Sequence, residues 1–326
     1  MNNMGKVELK VKFETLTPLW TGNAWGQCME IRPSSILGSL RFWFEVLCYF
    51  SGIINDDYFD EDGKLIETLD YNKFREQLKE KIKDKLKNGE GYNIEELIDE
   101  TLNELNISLP SRIFGCTGWK GRIRIKEIIY KKKEICKDNL DFYLPLNKLN
   151  KNSRFWIQKC IFNNGDKISI FEDIIITIDI EKYWFEKYLK RFFKFYKDKI
   201  ILIGGKNSFG FGFVKLNIIN EKIDKTEDNV DSSIMFKEIK LNVAPEKDIL
   251  GFNFKYYLRC KERKRYRKKN FGEQGKSSNF YVSNLIKNNN NFKIILFGIN
   301  NPFNKKYKEN NFSNIFNKYC KWLENI

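Results

Sequence analysis

Two different spacings of apolar residues along the chain predict an α+β protein. From Val7 to Phe13 every second residue is apolar and the residues between them are charged, which is typical of a half-buried strand. From Pro33 to Phe50 the apolar residues follow the helical period, and proline is favoured in the first turn of a helix. Gly38 interrupts this helix at a cost of ~1 kcal/mol relative to alanine. We therefore expect a strand or a ligand backbone to approach the helix there.

The same two spacings predict the remaining elements. Residues 52–108 are rich in charge and contain two amphipathic helices, at 70–88 and 93–105, so this segment is interpreted as a helical insertion. Further strands are predicted at 123–130, 167–180, 213–219, 236–243, 252–259, 279–286 and 292–299, and further helices at 181–199 and 312–326.

A polar segment divides the chain into two predicted domains. Residues 221–233 have almost no apolar pattern, and we place the boundary there, between residues 1–225 and residues 226–326. An internal repeat supports two related domains, because Phe114–Ile125 aligns without gaps on Phe271–Val282 and shares a Phe-Gly pair and a later glycine.

A glycine-rich segment, Gly204-Gly-Lys-Asn-Ser-Phe-Gly-Phe-Gly212, follows the predicted helix at 181–199. Its glycines let backbone N–H groups approach a phosphate closely, although a plain turn before a buried strand would use them as well. The spacing is not that of a P-loop, because Phe211 stands where that motif requires lysine. The stretch Phe209–Leu216 is similar to the aromatic motif of RRM domains. A long helix precedes it, however, which fits a ferredoxin-like domain better, since its last helix leads to its last strand.

Charge and aromatic content favour a nucleic-acid partner. The net charge is +15, the isoelectric point is about 9.3, and the chain has 28 Phe and 15 Tyr residues. Cations interleaved with aromatic rings suit single-stranded RNA or DNA, in which phosphates pair with cations and bases stack on rings. The run Lys261–Lys269 alone contains seven basic residues in nine.

Composition argues against most catalytic sites. The chain contains no histidine, which removes the commonest general base and the commonest metal ligand. Its seven cysteines form no CxxC pair, so we expect no metal and no cofactor. Scattered free thiols, a polar start and the lack of an apolar run of about 18 residues predict a soluble, cytoplasmic protein that does not enter membranes.

Three segments together resemble the RAMP superfamily of CRISPR-associated proteins, and more specifically the first subunit of the Cmr (type III-B) RNA-guided effector. They are Thr17-Pro-Leu-Trp-Thr-Gly22, Arg32-Pro-Ser-Ser-Ile-Leu-Gly-Ser-Leu-Arg-Phe-Trp43 and Phe114-Gly-Cys-Thr-Gly-Trp-Lys-Gly-Arg122. The glycine-rich segment corresponds to the hallmark loop of the superfamily, although Phe209 stands where a basic residue is usual.

The resemblance implies two ferredoxin-like RAMP domains with the helical insertion in the first. It also implies a non-catalytic RNA-binding subunit that helps to hold guide RNA, target RNA or both, together with the other subunits of the Cmr complex. The alternative is a metal-independent RAMP endoribonuclease that processes precursor guide RNA. Tyrosine, lysine and arginine could serve such an enzyme, and their abundance here does not separate the two hypotheses.

The expected RNA-binding residues come from the first helix, the Phe114 segment, the glycine-rich segment and the basic run. They are Arg32, Ser34, Ser35, Arg41, Lys120, Arg122, Gly204, Gly205, Lys206, Asn207, Ser208, Arg263, Arg265 and Lys268. Arg32, Ser34, Arg41, Lys206 and Asn207 are expected to line one groove, with Lys120 and Arg122 at its rim. In the competing interpretation Arg41 pairs with Glu45 one helical turn away and the two serines only cap the helix.

Overall fold

The computed structural model describes most of the chain, and every structural statement below concerns this part. The described residues are 5–23, 26–60, 65, 67–141, 143–144, 147–148, 158–163, 165–221, 234–242, 245–272, 278–288, 291–300 and 311–326. Nearly all of the proposed domain boundary at 221–233, and residues 273–277 of the second repeat copy, lie outside these ranges.

Strands and helices both occur along the whole chain. The strands are β1 Lys6–Thr15, β2 Gly115–Cys116, β3 Trp119–Lys120, β4 Ile123–Cys136, β5 Leu140–Asp141, β6 Tyr143–Leu144, β7 Asn147–Lys148, β8 Lys167–Glu181, β9 Ile200–Leu202, β10 Phe213–Ile218, β11 Ile234–Leu241, β12 Asp248–Ile249, β13 Phe280–Val282, β14 Ile286–Asn288 and β15 Asn291–Ile299. The helices are α1 Pro33–Phe50, α2 Tyr71–Lys87, α3 Ile94–Glu104, α4 Leu109–Phe114, α5 with its consecutive segments Lys182–Trp184, Phe185–Leu189 and Lys190–Tyr196, α6 Gly251–Lys261, α7 Lys264–Phe271 and α8 Phe312–Glu324.

The first sheet has the strand order β4-β8-β1-β10-β9, and all of its neighbouring strands are antiparallel. In β1 the predicted alternation is confirmed, because Leu9, Val11 and Phe13 are buried whereas Lys10 and Lys12 between them are exposed. Helices α1 and α5 pack together, with Phe44 on Phe192 at 5.7 Å between ring centres. The large rings of the two helices therefore form one core with the sheet.

The second sheet joins β11, β15 and β13 in that order, and β14 also pairs with β15. Successive residues of β15 point to opposite faces, and both faces are buried. Ile294 and Leu296 belong to the core under α6 and α8, whereas Ile295 and Phe297 belong to the core of the first sheet. This one strand therefore connects the two cores.

The predicted strand at 252–259 is wrong, since these residues lie in helix α6. Aromatic residues favour strands locally, but Phe254, Tyr257 and Leu258 follow the helical spacing i, i+3, i+4 and pack in the second core. The predicted strand at 279–286 is divided between β13 and β14, and the predicted strand at 123–130 continues to Cys136.

The segment 52–108 contains α2 and α3, close to their predicted bounds. Buried charge fixes α3 against α4 and α5. The carboxylate of Asp99 accepts hydrogen bonds from the Arg112 guanidinium at 2.6 Å and from the Tyr183 hydroxyl at 2.8 Å, and the Trp184 indole donates to Glu95 at 2.6 Å. Within the described ranges, no helix combines the length and apolar character needed to cross a bilayer.

Candidate nucleic-acid interface

A cleft of about 500 Å³ lies where the first helix, the glycine-rich segment and the second sheet meet. Four parts of the chain line it. The loop before α1 contributes Trp20, Thr21 and Gly22; α1 contributes Ser34, Ser35, Gly38, Ser39, Phe42 and Trp43; β9 and the glycine-rich segment after it contribute Leu202, Gly204, Gly205 and Asn207; and the second sheet contributes Tyr281 and Ile299. The structure thus brings together five of the expected RNA-binding residues, Ser34, Ser35, Gly204, Gly205 and Asn207.

The amino-terminal end of α1 opens into this cleft. Arg32 occupies the N-cap position without a side-chain capping bond, and Pro33 begins the helix. No acidic residue lies in the first turn, so the partial positive charge of the helix end is not neutralised locally. Ser34 is exposed there. Pro33 has no N–H, and the N–H groups of Ser35 and Ile36 donate to the Arg32 carbonyl. The N–H and the hydroxyl of Ser34 are therefore the donors at this helix start that suit a phosphate.

Gly38 lies in α1 on the side of the cleft, and no atom of the described residues lies within 4 Å of the position that its Cβ would take. The expectation that a strand approaches this glycine is therefore wrong. The alternative expectation, a ligand backbone, stays a prediction, because the space beside Gly38 is open.

The glycine-rich segment uses most of its main-chain donors within the protein. The N–H of Gly204 donates to Ser39 Oγ at 3.0 Å, that of Gly205 to the Trp20 carbonyl at 2.8 Å, and that of Gly212 to the Pro18 carbonyl at 2.9 Å. The Asn207 side-chain amide donates to the Phe211 carbonyl at 3.0 Å. In this conformation the segment forms one wall of the cleft.

The second half of the glycine-rich segment packs on the second sheet and its helix α6. Phe209 stacks on Phe252 with 5.6 Å between ring centres, and the N–H of Asn284 donates to the Gly210 carbonyl at 3.2 Å. Ser208 contacts Lys255, whose Nζ lies 3.3 Å from its hydroxyl. Ser208 therefore joins the two sheets and does not line the cleft.

Lys255 is a buried cation beside the cleft. It is 7% exposed, and its Nζ lies 5.2 Å from the centre of the Tyr281 ring, which lines the cleft. Burial, together with the nearby Arg259 charge, lowers the pKa of Lys255 to about 7. This group could not be recognised from the sequence, because a lysine between aromatic residues in the 252–259 stretch fits a strand face equally well.

Lys206 points away from the cleft lining. Its ammonium group donates to the Cys160 carbonyl and lies 4.2 Å from the centre of the Trp20 ring. Burial lowers the pKa of Lys206. Lys206 therefore supports the Trp20 ring from behind, and its charge reaches the cleft only through that ring.

The expected arginines of the groove have partners within the protein. Arg41 pairs with Glu45 at 2.7 Å and donates to the Gly115 carbonyl at 2.6 Å, so the competing interpretation of Arg41 is the one that the structure contains. The Arg122 guanidinium lies 3.2 Å from Glu95 and 4.7 Å from the centre of the Trp119 ring. Neither arginine reaches the cleft.

The other expected cations are exposed, and none of them lines the cleft. Arg32 is 3.9 Å from Glu30 and about half exposed, next to the start of α1. Lys120 is exposed on β3. Arg263 precedes α7, and Arg265 and Lys268 lie on it, so these three form a separate basic surface.

The cleft also contains residues that the sequence did not indicate as a site. Trp20, Ser39, Phe42 and Tyr281 line it with aromatic faces and one hydroxyl. Ser39 follows Ser35 by one helical turn, and this spacing could have identified it. Nothing in the sequence connects Tyr281 with α1, since the contact depends on how the two sheets pack. Among the described residues, no three His, Cys, Asp or Glu side chains are grouped closely enough to hold a metal ion.

The chain belongs to the RAMP superfamily, whose family model matches residues 12–215. No curated protein matches the sequence. Among solved structures, a chain of the type III-B Cmr-β complex bound to cognate target RNA, determined by cryo-electron microscopy, is 12% identical with a TM-score of 0.39, over 98% of this chain and 100% of that chain. Cmr1 from Pyrococcus furiosus in its apo form is 12% identical with a TM-score of 0.38, over 90% of this chain and 88% of that chain.

Proposed function

We propose that this protein is a non-catalytic, RNA-binding subunit of a type III-B CRISPR (Cmr) ribonucleoprotein. Membership of the RAMP superfamily and the helix motif Arg32–Trp43 support the assignment to such a complex. Its partners would be guide RNA, target RNA and the other subunits of the complex. A net charge of +15 supports a polyanionic ligand.

The fold is consistent with two ferredoxin-like domains, which we propose as residues 1–225 and 226–326. In the first, the main elements follow along the chain in the order β1-α1-β4-β8-α5-β10. Strand β1 lies between β8 and β10 in the sheet that its strands form. In the second, β11, α6, β13, β15 and α8 follow in the same order of strands and helices. Strand β15 lies between β11 and β13, as β8 lies between β1 and β4 in the first sheet. The second domain lacks a final strand after α8 within the described residues.

The observation that carries the RNA-binding proposal is the uncapped start of α1, which opens into a cleft with aromatic walls. We infer that a backbone phosphate contacts the first turn of α1 near Ser34 and that the chain passes beside Gly38. Bases would stack on Trp20, Phe42 or Tyr281, which all line the same cleft. Single-stranded RNA is the ligand that combines these contacts.

The test is a substitution that fills the cleft without disturbing the fold. Leucine at Gly38 projects into the open space beside the helix, so Gly38→Leu is expected to weaken single-stranded RNA binding by roughly ten-fold while the thermal midpoint is retained. The matched control is Gly91→Leu, because Gly91 also has no neighbouring atom within 4 Å and lies outside the cleft. Equal RNA affinities for the two variants would contradict the proposed cleft.

The non-catalytic assignment has its own test. The purified protein is incubated with labelled repeat RNA and with target RNA in the absence of metal. We expect both RNAs to stay intact, because the chain has no histidine to act as a general base. Reproducible cleavage that a point substitution in this chain abolishes would support the endoribonuclease alternative instead.

A further inference from the structure

A second pocket, of about 540 Å³, lies between the end of α6, α7 and α8. Its volume is in the range of small-ligand sites. It shares no lining residue with the cleft beside α1. We refer to it as the α7–α8 pocket.

Asn270 lines the α7–α8 pocket and carries an unused acceptor. The residue is completely buried, and its side-chain amide donates to the Tyr319 hydroxyl at 2.7 Å. That hydroxyl in turn donates to Glu262 at 2.7 Å, so only the amide nitrogen of Asn270 can face Tyr319. Asn270 Oδ1 is left buried without a hydrogen-bond partner among the described residues. An unpaired buried acceptor is costly, and because Oδ1 has no exposed surface it is a source of strain in the pocket wall and not a contact point for a ligand.

The charges of the pocket favour an anion. The Glu262 carboxylate is buried, and the Lys318 ammonium group at 2.5 Å neutralises its charge. The main-chain N–H of Arg263 also donates a hydrogen bond to it at 2.9 Å. Burial on its own would raise the pKa of Glu262, but these hydrogen bonds lower it, so Glu262 and Lys318 form a fixed ion pair. The exposed Lys261 and Arg263 side chains remain as two positive charges at the pocket.

Two aromatic rings in the pocket offer flat surfaces. Trp322 and Tyr266 are partly buried and line it from opposite helices. The Lys318 and Lys261 ammonium groups lie 4.9 Å and 5.9 Å from the centre of the Trp322 ring. The Lys261 ammonium group can leave the Trp322 ring when a phosphate is near, whereas Lys318 stays paired with Glu262. A base would therefore stack on the part of the Trp322 ring that Lys318 does not cover.

We propose that the α7–α8 pocket binds one nucleotide of single-stranded RNA. The base stacks on Trp322 or Tyr266, and its phosphate pairs with Lys261 and Arg263. Arg265 and Lys268 of α7 are exposed and suit the phosphates that follow, so a polymer is a better ligand than a free nucleotide.

The proposal rests on the proposed RNA-binding function and adds a second contact to it. The experiment uses the full-length protein and two fluorescein-labelled probes, a uridine decanucleotide and a decanucleotide of the same length without bases. Trp322→Leu is expected to weaken uridine binding about ten-fold and to leave binding of the abasic probe unchanged, because stacking requires a base. Trp322→Phe keeps an aromatic ring and is expected to restore most of the affinity.

The phosphate contact is tested with adjacent cations. Arg263→Ala is expected to lower the slope of log affinity against log salt by about 0.7, the value for one phosphate of a single strand. Lys264→Ala is the matched control, since Lys264 is exposed one residue further along the chain but does not line the pocket. Its slope should stay closer to that of the unsubstituted protein.

The outcomes separate this inference from the proposed function. No binding of the uridine probe at low salt would overturn both. Binding that Gly38→Leu weakens, but that Trp322→Leu leaves unchanged, would support the cleft and overturn the α7–α8 pocket. The pocket would also be overturned by two results together. Arg263→Ala and Lys264→Ala would lower the salt slope equally, and Trp322→Leu would still bind the uridine probe more tightly than the abasic probe by the same factor as the unsubstituted protein. RNA would then contact α7 only as a diffuse basic surface.

Discussion

The hydroxyl of Ser39 accepts a hydrogen bond from the main-chain N–H of Gly204 at 3.0 Å and donates one to the Ser35 carbonyl at 3.0 Å. The contact with Gly204 joins α1 to the glycine-rich segment, and these two elements are walls of the cleft. The Trp43 indole, which donates to the Leu202 carbonyl at 2.8 Å, is a second link between the same walls. The contact with Gly204 makes Ser39 a positioning residue, even though two other serines lie nearer the start of the helix.

Ser39→Ala is expected to lower the free energy of unfolding by about 1 kcal/mol. Alanine favours the helix slightly, but the partly buried N–H of Gly204 loses its acceptor, and that loss is the larger effect. Denaturant unfolding measures the difference. Ser34→Ala is the control, since Ser34 is exposed and its substitution should change stability by less than about 0.5 kcal/mol. Equal stabilities of the two variants would show that the Ser39 contact does not hold the wall.

The sequence predicted those parts of the fold whose signals are local. Pro33 and the helical spacing after it gave the bounds of α1, and the alternation in β1 gave its buried face. The prediction failed at α6, where aromatic residues with strand propensity form a helix because Phe254 and Leu258 pack in a core that the sequence does not reveal.

The site was harder to predict, because the partners of charged residues come from distant parts of the chain. Arg122 is paired with Glu95 of α3, and Arg41 donates to the Gly115 carbonyl, so both are held outside the cleft by contacts that only the tertiary structure creates. The small residues of the cleft were found more reliably. Ser34 and Gly204 occur in motifs that reflect backbone geometry, and backbone geometry is encoded locally.

Gly210→Ala is expected to separate the glycine-rich segment from the second sheet. Gly210 has φ of +99°, and a Cβ there would lie 2.3 Å from Asn284 Oδ1 and 2.8 Å from the Gly251 nitrogen. Asn284 Oδ1 already accepts from the Gly251 N–H at 2.9 Å, so it cannot move aside without losing that bond. We expect a loss of more than about 2 kcal/mol in the free energy of unfolding.

Gly52→Ala is the control for this substitution. Gly52 also has a positive φ, +70°, but no atom lies within 4 Å of its Cβ position. Gly52→Ala should lower the free energy of unfolding only by the cost of a left-handed backbone for alanine, about 1 kcal/mol. A loss for Gly210→Ala no larger than that for Gly52→Ala would mean that the contact with Asn284 is not close in solution.

Asp99→Asn is expected to destabilise the protein by roughly 3–5 kcal/mol, because it removes the charge that neutralises buried Arg112 and nearby Lys187. The Asp99 side chain is 3% exposed and that of Arg112 is 11% exposed. Thermal and denaturant unfolding give the change. The control is Glu100→Gln on the same helix, since the Glu100 side chain is 51% exposed and pairs with Lys81 at 3.6 Å. Its effect should stay below about 1 kcal/mol. A small effect for Asp99→Asn would show that α3 does not depend on this charge for its position.

The stability of the junction beside the cleft should depend on pH through Lys255. Its pKa is about 7 in the folded protein and close to the ordinary value of 10.5 in the unfolded chain. Between these values the unfolded chain binds more protons than the folded protein, so this residue makes stability rise with pH from about 7 to 10.5, by up to ~1.4 kcal/mol per pH unit. Below pH 7 both states are protonated and the cost of the buried charge is constant.

Lys255→Met removes that titration and should therefore be most stabilising at pH 6–7, with the advantage over the unsubstituted protein disappearing as the pH approaches 10. The free energy of unfolding of each protein is measured by urea denaturation at several pH values, and only the difference between the two is used, because other groups also titrate in this range. Lys240→Met is the control, since Lys240 is exposed on β11 in the same part of the fold and its substitution removes a lysine without removing a buried one. A pH-independent difference for Lys255→Met would mean that Lys255 is hydrated in solution and that the contact with Ser208 at 3.3 Å does not exclude water from the junction.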